Sequence, residues 1–283
     1  MAEVNTKFGI PPPSSGMPTI TPSELEKLLS QYFEAVKSTR SPVIPIFIFG
    51  PPGIGKSAII NTAARKAGFA TKTFIASTMD PTLVRGIPYP DKGVVRWFPN
   101  SDWTTTGPTV FFFDELNLAP SSVVASLYRI ILEGKIEDVD ISHQPRIGAG
   151  NRESDTSIVE QMPLPLYTRF EVYHLIPTVE DWVRYAKSVK INPTIISFIE
   201  LNRNMLYWVN PEDPGQAAAT PRSWERLSQV LAIGLNTKQD IEGSVGHEPG
   251  VEFMRYVEDL KSKNPMPSRD LEPPDILGVE ELK

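Results

Sequence analysis

One glycine-rich segment, Gly50-Pro51-Pro52-Gly53-Ile54-Gly55-Lys56-Ser57, has the residue types that surround a phosphate group. Its glycines let the backbone fold so that successive N–H groups point inward at an anion. Lys56 can reach the terminal phosphates of a nucleotide, and the Ser57 hydroxyl can bind a magnesium ion. The segment matches the Walker A pattern G-x-x-x-x-G-K-S and predicts that residues 50–57 bind ATP. The alternative is a glycine turn that only joins a strand to a helix.

A second candidate lies downstream, where the apolar run Val110-Phe111-Phe112-Phe113 ends in two acids. This is the Walker B arrangement, in which Asp114 would hold Mg²⁺ together with Ser57. Glu115 would orient and polarise the water that attacks the terminal phosphate. Acids after strands are also common as helix caps or solvated loop residues. The Walker A segment upstream favours the catalytic interpretation.

The elements around these segments predict an α/β fold. Apolar runs predict five strands, and helical spacing follows several of them; the strands are predicted at 43–49, 72–76, 109–113, 146–149 and 171–176. Thr21-Pro22-Ser23-Glu24 has the pattern of a capping box at the start of a helix. The alternation predicts an αβα sandwich with a five-stranded parallel sheet. ATP would bind at the carboxyl ends of the strands.

Four segments follow from the change of pattern along the chain. Residues 1–20 are expected to be an irregular arm and residues 21–176 the nucleotide-binding core. Strand signals stop after Pro177, so residues 177–245 predict a small helical lid domain. The acidic, proline-rich residues 246–283 are expected to form a poorly packed tail.

Composition excludes some chemistry. The 283-residue chain has no cysteine, so disulfides, thiolate metal sites and cysteine nucleophiles are absent. The three histidines are far apart and predict no metal site. Neither a signal peptide nor an apolar run of membrane-spanning length is visible, so we expect a cytoplasmic protein with no membrane partner. The net charge of −6 argues only weakly against nucleic-acid binding.

With these motifs in place, residues 22–235 resemble the AAA+ ATPases, and within them the MoxR-like branch. The resemblance implies that Asn151, after the strand at 146–149, is the sensor 1 residue that contacts the γ-phosphate or the attacking water. It implies that Arg169 is an arginine finger for the next subunit, with Arg152 as the competing candidate. Arg222 resembles the sensor 2 residue of the lid. Each arginine could instead be an ordinary exposed side chain.

Two short hairpins also fit this branch. Turn residues at 89–93 predict a hairpin over 86–98, similar to the insertion in helix 2 that approaches the central pore. A smaller hairpin is expected around 135–141. The chain departs from the branch in two places: no acid precedes Arg85-Gly86, and Gly150 stands where Thr or Gln is usual before the sensor Asn.

The resemblance implies a ring, most simply a hexamer, that hydrolyses ATP at subunit interfaces with ATP and Mg²⁺ as cofactors. Its work would be to remodel or assemble a protein client, with a partner that carries a von Willebrand factor A domain. The alternative is a nucleic-acid motor or helicase loader, which would use Lys92, Arg96 and Lys135 at the hairpins. A regulatory module that hydrolyses ATP slowly is a further alternative, which the presence of Glu115, Asn151 and Arg169 together disfavours.

Overall fold

The computed structural model of this chain describes residues 18–38, 43–151, 164–210 and 217–263. The chain divides into two compact units, with the division between Thr178 and Val179. The first unit contains all ten described strands, which are β1 (Thr19–Ile20), β2 (Ile46–Phe49), β3 (Ala70–Ile75), β4 (Ile87–Asp91), β5 (Val94–Phe98), β6 (Thr109–Asp114), β7 (Lys135–Ile136), β8 (Val139–Asp140), β9 (Arg146–Gly150) and β10 (Glu171–Leu175). Its helices are α1 (Pro22–Ser38), α2 (Lys56–Lys66), α3 (Pro81–Arg85), α4 (Ser121–Glu133) and α5 (Leu164–Tyr167).

The central sheet has six parallel strands in the order β1-β10-β2-β9-β6-β3. The predicted α/β fold with a parallel sheet is therefore confirmed, but the predicted number of five strands is wrong. The additional strand is β1, which pairs with the outer side of β10. It has only two residues, too few for an apolar pattern, and it lies in the segment expected to be an irregular arm.

Burial on both faces explains why the middle strands are apolar. Every residue of β6 from Thr109 to Phe113 is buried, and Ile46 to Ile48 of β2 are buried as well. Helix α4 packs its apolar face, which includes Leu127 and Ile131, into the same core. The capping box predicted for α1 forms. The N–H of Thr21 donates to the Glu24 carboxylate, and the N–H of Glu24 donates to the Thr21 hydroxyl.

Arg146 at the start of β9 is buried, although the sequence pattern predicted only a strand there. It is 1% exposed, and its guanidinium donates to five main-chain carbonyls. These belong to Val43, Ile131, Ile141, Ser142 and Gln144, at distances of 2.8–3.2 Å. Burial lowers the pKa of Arg146 from its ordinary value. The side chain joins the end of α4, the segment before β2 and the β8–β9 connection.

Both predicted hairpins are present. β4 and β5 pair around a two-residue turn at Lys92 and Gly93, and β7 pairs with β8. The first hairpin carries several exposed apolar side chains, which are Ile87, Tyr89, Val94, Val95 and Phe98.

The second unit is helical in its described part and is built from α6 (Val179–Ser188), α7 (Pro193–Leu201), α8 (Pro221–Ala232), α9 (Lys238–Val245) and α10 (His247–Lys263). Trp224 and Phe198 lie in its core. No described helix in either unit has the length and apolar character that crossing a membrane requires.

The expected tail from residue 246 is wrong for residues 247–263, which form α10. Phe253 of this helix is 2% exposed and packs edge-on against Phe198 and Trp224. Pro249 and Gly250 hid the helix in the sequence. Proline is tolerated in the first turn of a helix because its missing N–H would have no partner there.

Candidate functional site

The Walker A segment joins β2 to α2. Gly50 follows the last residue of β2, and its N–H donates to the carbonyl of Gly150 at 3.2 Å. Gly55 has φ +97° and is the N-cap of α2, which begins at Lys56. Residues with a Cβ rarely adopt this backbone angle. The loop therefore leads directly into the first turn of α2, whose N–H groups have no acceptors earlier in the helix, and such a helix start is suited to binding an anion.

Lys56 turns back over this loop. Its side chain is buried at 8% exposure, and Nζ donates to the carbonyls of Gly50 at 2.6 Å and Pro51 at 3.0 Å. Nζ also donates to Oδ1 of Asn151 at 3.1 Å. The loop lysine and the predicted sensor residue are thus direct neighbours.

Asp114 ends β6 beside the same loop. Its Oδ2 accepts from the Ser57 hydroxyl at 2.6 Å, and its Oδ1 accepts from the N–H of Glu115 at 3.0 Å. The two residues predicted to hold Mg²⁺ are therefore in contact, 57 positions apart in the chain. Parallel pairing explains the contact, because β2 and β6 both flank β9 and end at the same edge of the sheet.

Glu115 has φ +55°, a left-handed conformation that turns the chain out of the strand. Its carboxylate accepts a short hydrogen bond from the Ser77 hydroxyl. Ser77 lies in the 3-10 turn Ala76–Thr78, directly after β3. A neighbouring strand end therefore fixes the direction of the predicted catalytic carboxylate.

Asn117, just beyond the acidic pair, contacts the main chain of Asn151. Its Nδ2 donates to the carbonyl of Asn151 at 2.6 Å, and its Oδ1 accepts from the N–H of Asn151 at 3.2 Å. Asn117 is 4% exposed. The amide therefore satisfies both main-chain groups of the predicted sensor residue.

Of the predicted arginines, one lies in the first unit, one in the second unit and one outside the described residues. Arg169 is exposed and stands two residues before β10, at the amino edge of the sheet. Arg222 is exposed on the first turn of α8, in the second unit, where Thr220 and Ser223 form a capping box. Arg152, the competing candidate for the arginine finger, lies outside the described residues.

The site fits a magnesium–nucleotide complex by its donor set. Within the described residues no three His, Cys, Asp or Glu side chains cluster as a cage for a metal. Mg²⁺ characteristically uses few protein ligands and takes the remainder from water and substrate phosphates. The hydroxyl of Ser57 and the carboxylate of Asp114, which are in contact, would supply such a small set of protein ligands.

Two residues of the site escaped sequence reasoning. Ser77 follows a strand of the parallel sheet, and polar residues in that position would have been a usable signal. Asn117 lies inside the short turn Leu116–Leu118, so only the fold brings it to Asn151.

A comparison with protein-family models matches residues 45–170 to the AAA domain of the dynein-related subfamily. No curated protein matches the chain. Among solved structures, a mutant of Thermotoga maritima RuvB matches with TM-score 0.47 and 18% identity, covering 82% of this chain and 68% of that one. A second RuvB structure of that organism, described as a Holliday junction branch migration motor, matches with TM-score 0.45 and 17% identity. This match covers 82% of this chain and 68% of that one. TM-scores below 0.5 carry no functional information. Residues 45–170 therefore match an AAA domain and lie within the unit that contains the parallel α/β sheet.

Proposed function

We propose that this chain hydrolyses ATP at the edge of the sheet where Lys56, Ser57, Asp114 and Asn151 converge. The contact between Ser57 and Asp114 at 2.6 Å is the observation that carries the proposal. It brings the Walker A hydroxyl and the Walker B carboxylate to one point, as the binding of one metal–nucleotide complex requires. A glycine turn that only joins a strand to a helix does not require this contact between Ser57 and Asp114.

The loop residues would bind the triphosphate. Main-chain N–H groups of residues 53–57 would surround the β-phosphate, and Lys56 would exchange its loop carbonyls for the β- and γ-phosphate oxygens. Ser57 and Asp114 would hold Mg²⁺, the latter directly or through water. The metal supplies charge neutralisation on the phosphate oxygens when it is bound.

Glu115 would act as the general base. Its carboxylate would accept a proton from the water that attacks the γ-phosphorus in line with the leaving ADP oxygen. Ser77 holds this carboxylate in place through a hydrogen bond. Asn151 would orient the water or the γ-phosphate from its position beside Lys56.

Arg169 would serve the site of a neighbouring subunit. It precedes β10, whose first residue Glu171 pairs with Ile46 at the start of β2. The loop begins at Gly50, four residues later, which is about 13 Å along the strand. Arg169 is therefore at the far edge from its own phosphate loop. This placement supports a ring, with a hexamer as our proposal, in which Arg169 stabilises transition-state charge in trans.

The hairpin β4–β5 supports a protein client. Ile87 and Phe98, which pair across the hairpin and therefore share one face, are 70% and 69% exposed, and exposed apolar clusters commonly mark protein contacts. Arg96 of the same hairpin is paired with Asp91 at 2.9 Å, which reduces its attraction for phosphates. We propose that ATP hydrolysis remodels or assembles a protein. Arg222 as sensor 2 and a partner with a von Willebrand factor A domain rest on the MoxR resemblance alone.

A second candidate function, a nucleic-acid motor, is favoured by one cavity. It has a volume of about 340 Å³ and lies between α3, α4 and the hairpin β7–β8. Arg85, Arg129 and Lys135 line it, and three cations around one groove suit a phosphate backbone. Glu137 lines the same cavity, and Arg129 is paired with Glu133, so part of this charge is offset.

The test compares three proteins in one ATPase assay. Wild type should hydrolyse ATP, Lys56→Ala should lose nucleotide binding, and Glu115→Gln should bind ATP without turning it over. Full turnover by Glu115→Gln would refute the catalytic assignment. Adding DNA or a reduced, alkylated unfolded protein then separates the two functions. Stimulation by DNA with steep salt dependence would support the motor instead of the remodeller.

A further inference from the structure

The side chain of Asn117 bonds the main chain of Asn151 just beyond the end of β9. β6 and β9 pair as far as Phe113 and Gly148, after which Glu115 turns the chain away. Two residues later the Asn117 amide bonds both the N–H and the C=O of Asn151. A main-chain N–H can only donate and a C=O can only accept, so the two bonds fix the orientation of the amide. The side chain thus replaces a strand partner for Asn151.

Asn117 also determines what residue 150 can be. A Cβ built on Gly150 would lie 2.2 Å from Oδ1 and 2.7 Å from Cγ of Asn117. It would lie 2.9 Å from Cζ of Phe47 on the other side. Any side chain at position 150 would therefore displace the Asn117 amide from Asn151. The unusual glycine before the sensor residue follows from this close approach.

We infer that Asn117 is a positioning residue for ATP hydrolysis, which holds the Asn151 main chain beside Lys56 and is sterically coupled to the glycine at position 150. The inference rests on the proposed function. Asn151 reaches Lys56 through Oδ1, and Lys56 keeps two further carbonyl partners of its own. Loss of Asn117 should therefore disturb the sensor residue while the phosphate loop stays intact.

The first experiment measures steady-state ATP hydrolysis of the full chain with Asn117→Ala and Asn117→Asp. We expect kcat to fall by about 10- to 100-fold in both, with KM for ATP nearly unchanged, because a displaced catalytic group costs turnover. The aspartate keeps the volume and the acceptor for Asn151 N–H but loses the donor to Asn151 C=O. Wild-type kcat in Asn117→Asp would reduce Asn117 to a packing residue and overturn the inference.

Asn192→Ala is the matched control for loss of stability. Asn192 caps α7 through its side chain, which accepts from the N–H of Thr194 at 2.9 Å. The Asn192→Ala variant should lower the midpoint of thermal unfolding by an amount comparable to Asn117→Ala and leave kcat unchanged. An equal loss of kcat in this variant would show that general destabilisation accounts for the effect at position 117.

The second experiment is a double-mutant cycle with Gly150→Ala. Alone, Gly150→Ala should lower kcat about as much as Asn117→Ala, because both remove the amide from Asn151. In the Asn117→Ala background the added methyl meets no amide and only Cζ of Phe47, so the double variant should lose much less activity than the product of the two single losses. Independent, multiplying losses would overturn the steric coupling.

The same double-mutant cycle can be measured through the midpoints of thermal unfolding of the four proteins, which does not require ATPase activity. If wild type proves to have no ATPase activity, the proposed function fails. The midpoints then still decide whether Asn117 and Gly150 are coupled. Additive shifts of the midpoint would refute the coupling whatever the activity of the chain.

Discussion

Asp114 illustrates how single residues serve the site. One of its oxygens accepts from a side-chain hydroxyl of α2 and the other from a main-chain N–H of its own strand end. The second bond is built into the backbone, so it orients the carboxylate whatever binds. The first bond joins two predicted metal ligands, and both can turn toward Mg²⁺ without a change in the strands.

Ser77 gives a prediction at the same scale. Replacing Ser77 with Ala removes the only side-chain hydrogen bond that the described residues give to the Glu115 carboxylate. An untethered base spends less time in the reactive orientation, so we expect kcat to fall by about tenfold with KM unchanged. Steady-state hydrolysis measures this.

Ser77→Thr, which keeps the hydroxyl, should retain most of the activity. Thr78→Ala is the matched control, because the neighbouring Thr78 hydroxyl donates to the carbonyl of Ile75 at 2.9 Å in the same turn. If Thr78→Ala lowers kcat as much as Ser77→Ala, the turn and not the hydrogen bond is responsible.

Much of the candidate site was predictable at the scale of residues, since glycine, lysine and serine at fixed spacing are typical of a phosphate loop. The sequence could not reveal Ser77 and Asn117, because each acts through a contact that exists only after the parallel strands are aligned. Gly150 was visible as a departure from the usual pattern. Its cause, the amide of Asn117, was not.

At the scale of elements, Arg146 connects three segments through carbonyl groups alone. Arg146→Lys should lower the free energy of unfolding of the first unit by about 2–4 kcal/mol, because lysine has three donors for five carbonyls and leaves buried acceptors unpaired. Chemical denaturation followed by tryptophan fluorescence measures it.

Arg129→Lys is the control for that substitution. Arg129 and Glu133 form an ion pair whose side chains are both more than half exposed, and such pairs contribute little. An equal loss of stability in the two variants would contradict the role given to Arg146.

The hairpin β4–β5 carries the element-scale prediction for the client. Phe98→Ser should weaken binding of a reduced, alkylated unfolded protein by about tenfold, because it removes one large apolar contact. Fluorescence anisotropy of the labelled protein measures the affinity, and basal ATP hydrolysis should be unchanged. Leu201→Ser is the matched control, since Leu201 is equally exposed at 72% in the second unit. Unaltered binding by Phe98→Ser would remove the hairpin from the client site.

Elements with strong patterns were predicted well, and short or interrupted ones were not. Apolar runs located β2, β3, β6, β9 and β10, and turn residues located both hairpins. β1 is held by the edge of β10 and has no pattern of its own. α10 was missed because Pro249 and Gly250 lie in its first turn.

At the scale of the whole molecule, the position of Arg169 predicts activity that no single subunit has. Arg169→Ala and Glu115→Gln should each be nearly inactive in hydrolysis, while Arg169→Ala still binds ATP. Mixed in equal amounts, they should recover about a quarter of the wild-type rate, because about one interface in four joins an intact Glu115 to an intact Arg169. An ATPase assay of the mixture measures it.

Arg184→Ala is the control for this mixing experiment. Arg184 is an exposed arginine paired with Asp181 in the second unit, and its loss should leave hydrolysis unchanged. A mixture that stays inactive would contradict a site shared between subunits.

The close approach of Asn117 and Gly150 also constrains how this protein can diverge. If a side chain is acquired at position 150 before Asn117 changes, the contact between the Asn117 amide and Asn151 is lost. The same contact is lost if Asn117 is replaced by a shorter residue while Gly150 remains. Relatives should therefore fall into two groups, one with Asn and Gly at these positions and one in which both have changed. Intermediates with a single change should be rare among natural sequences.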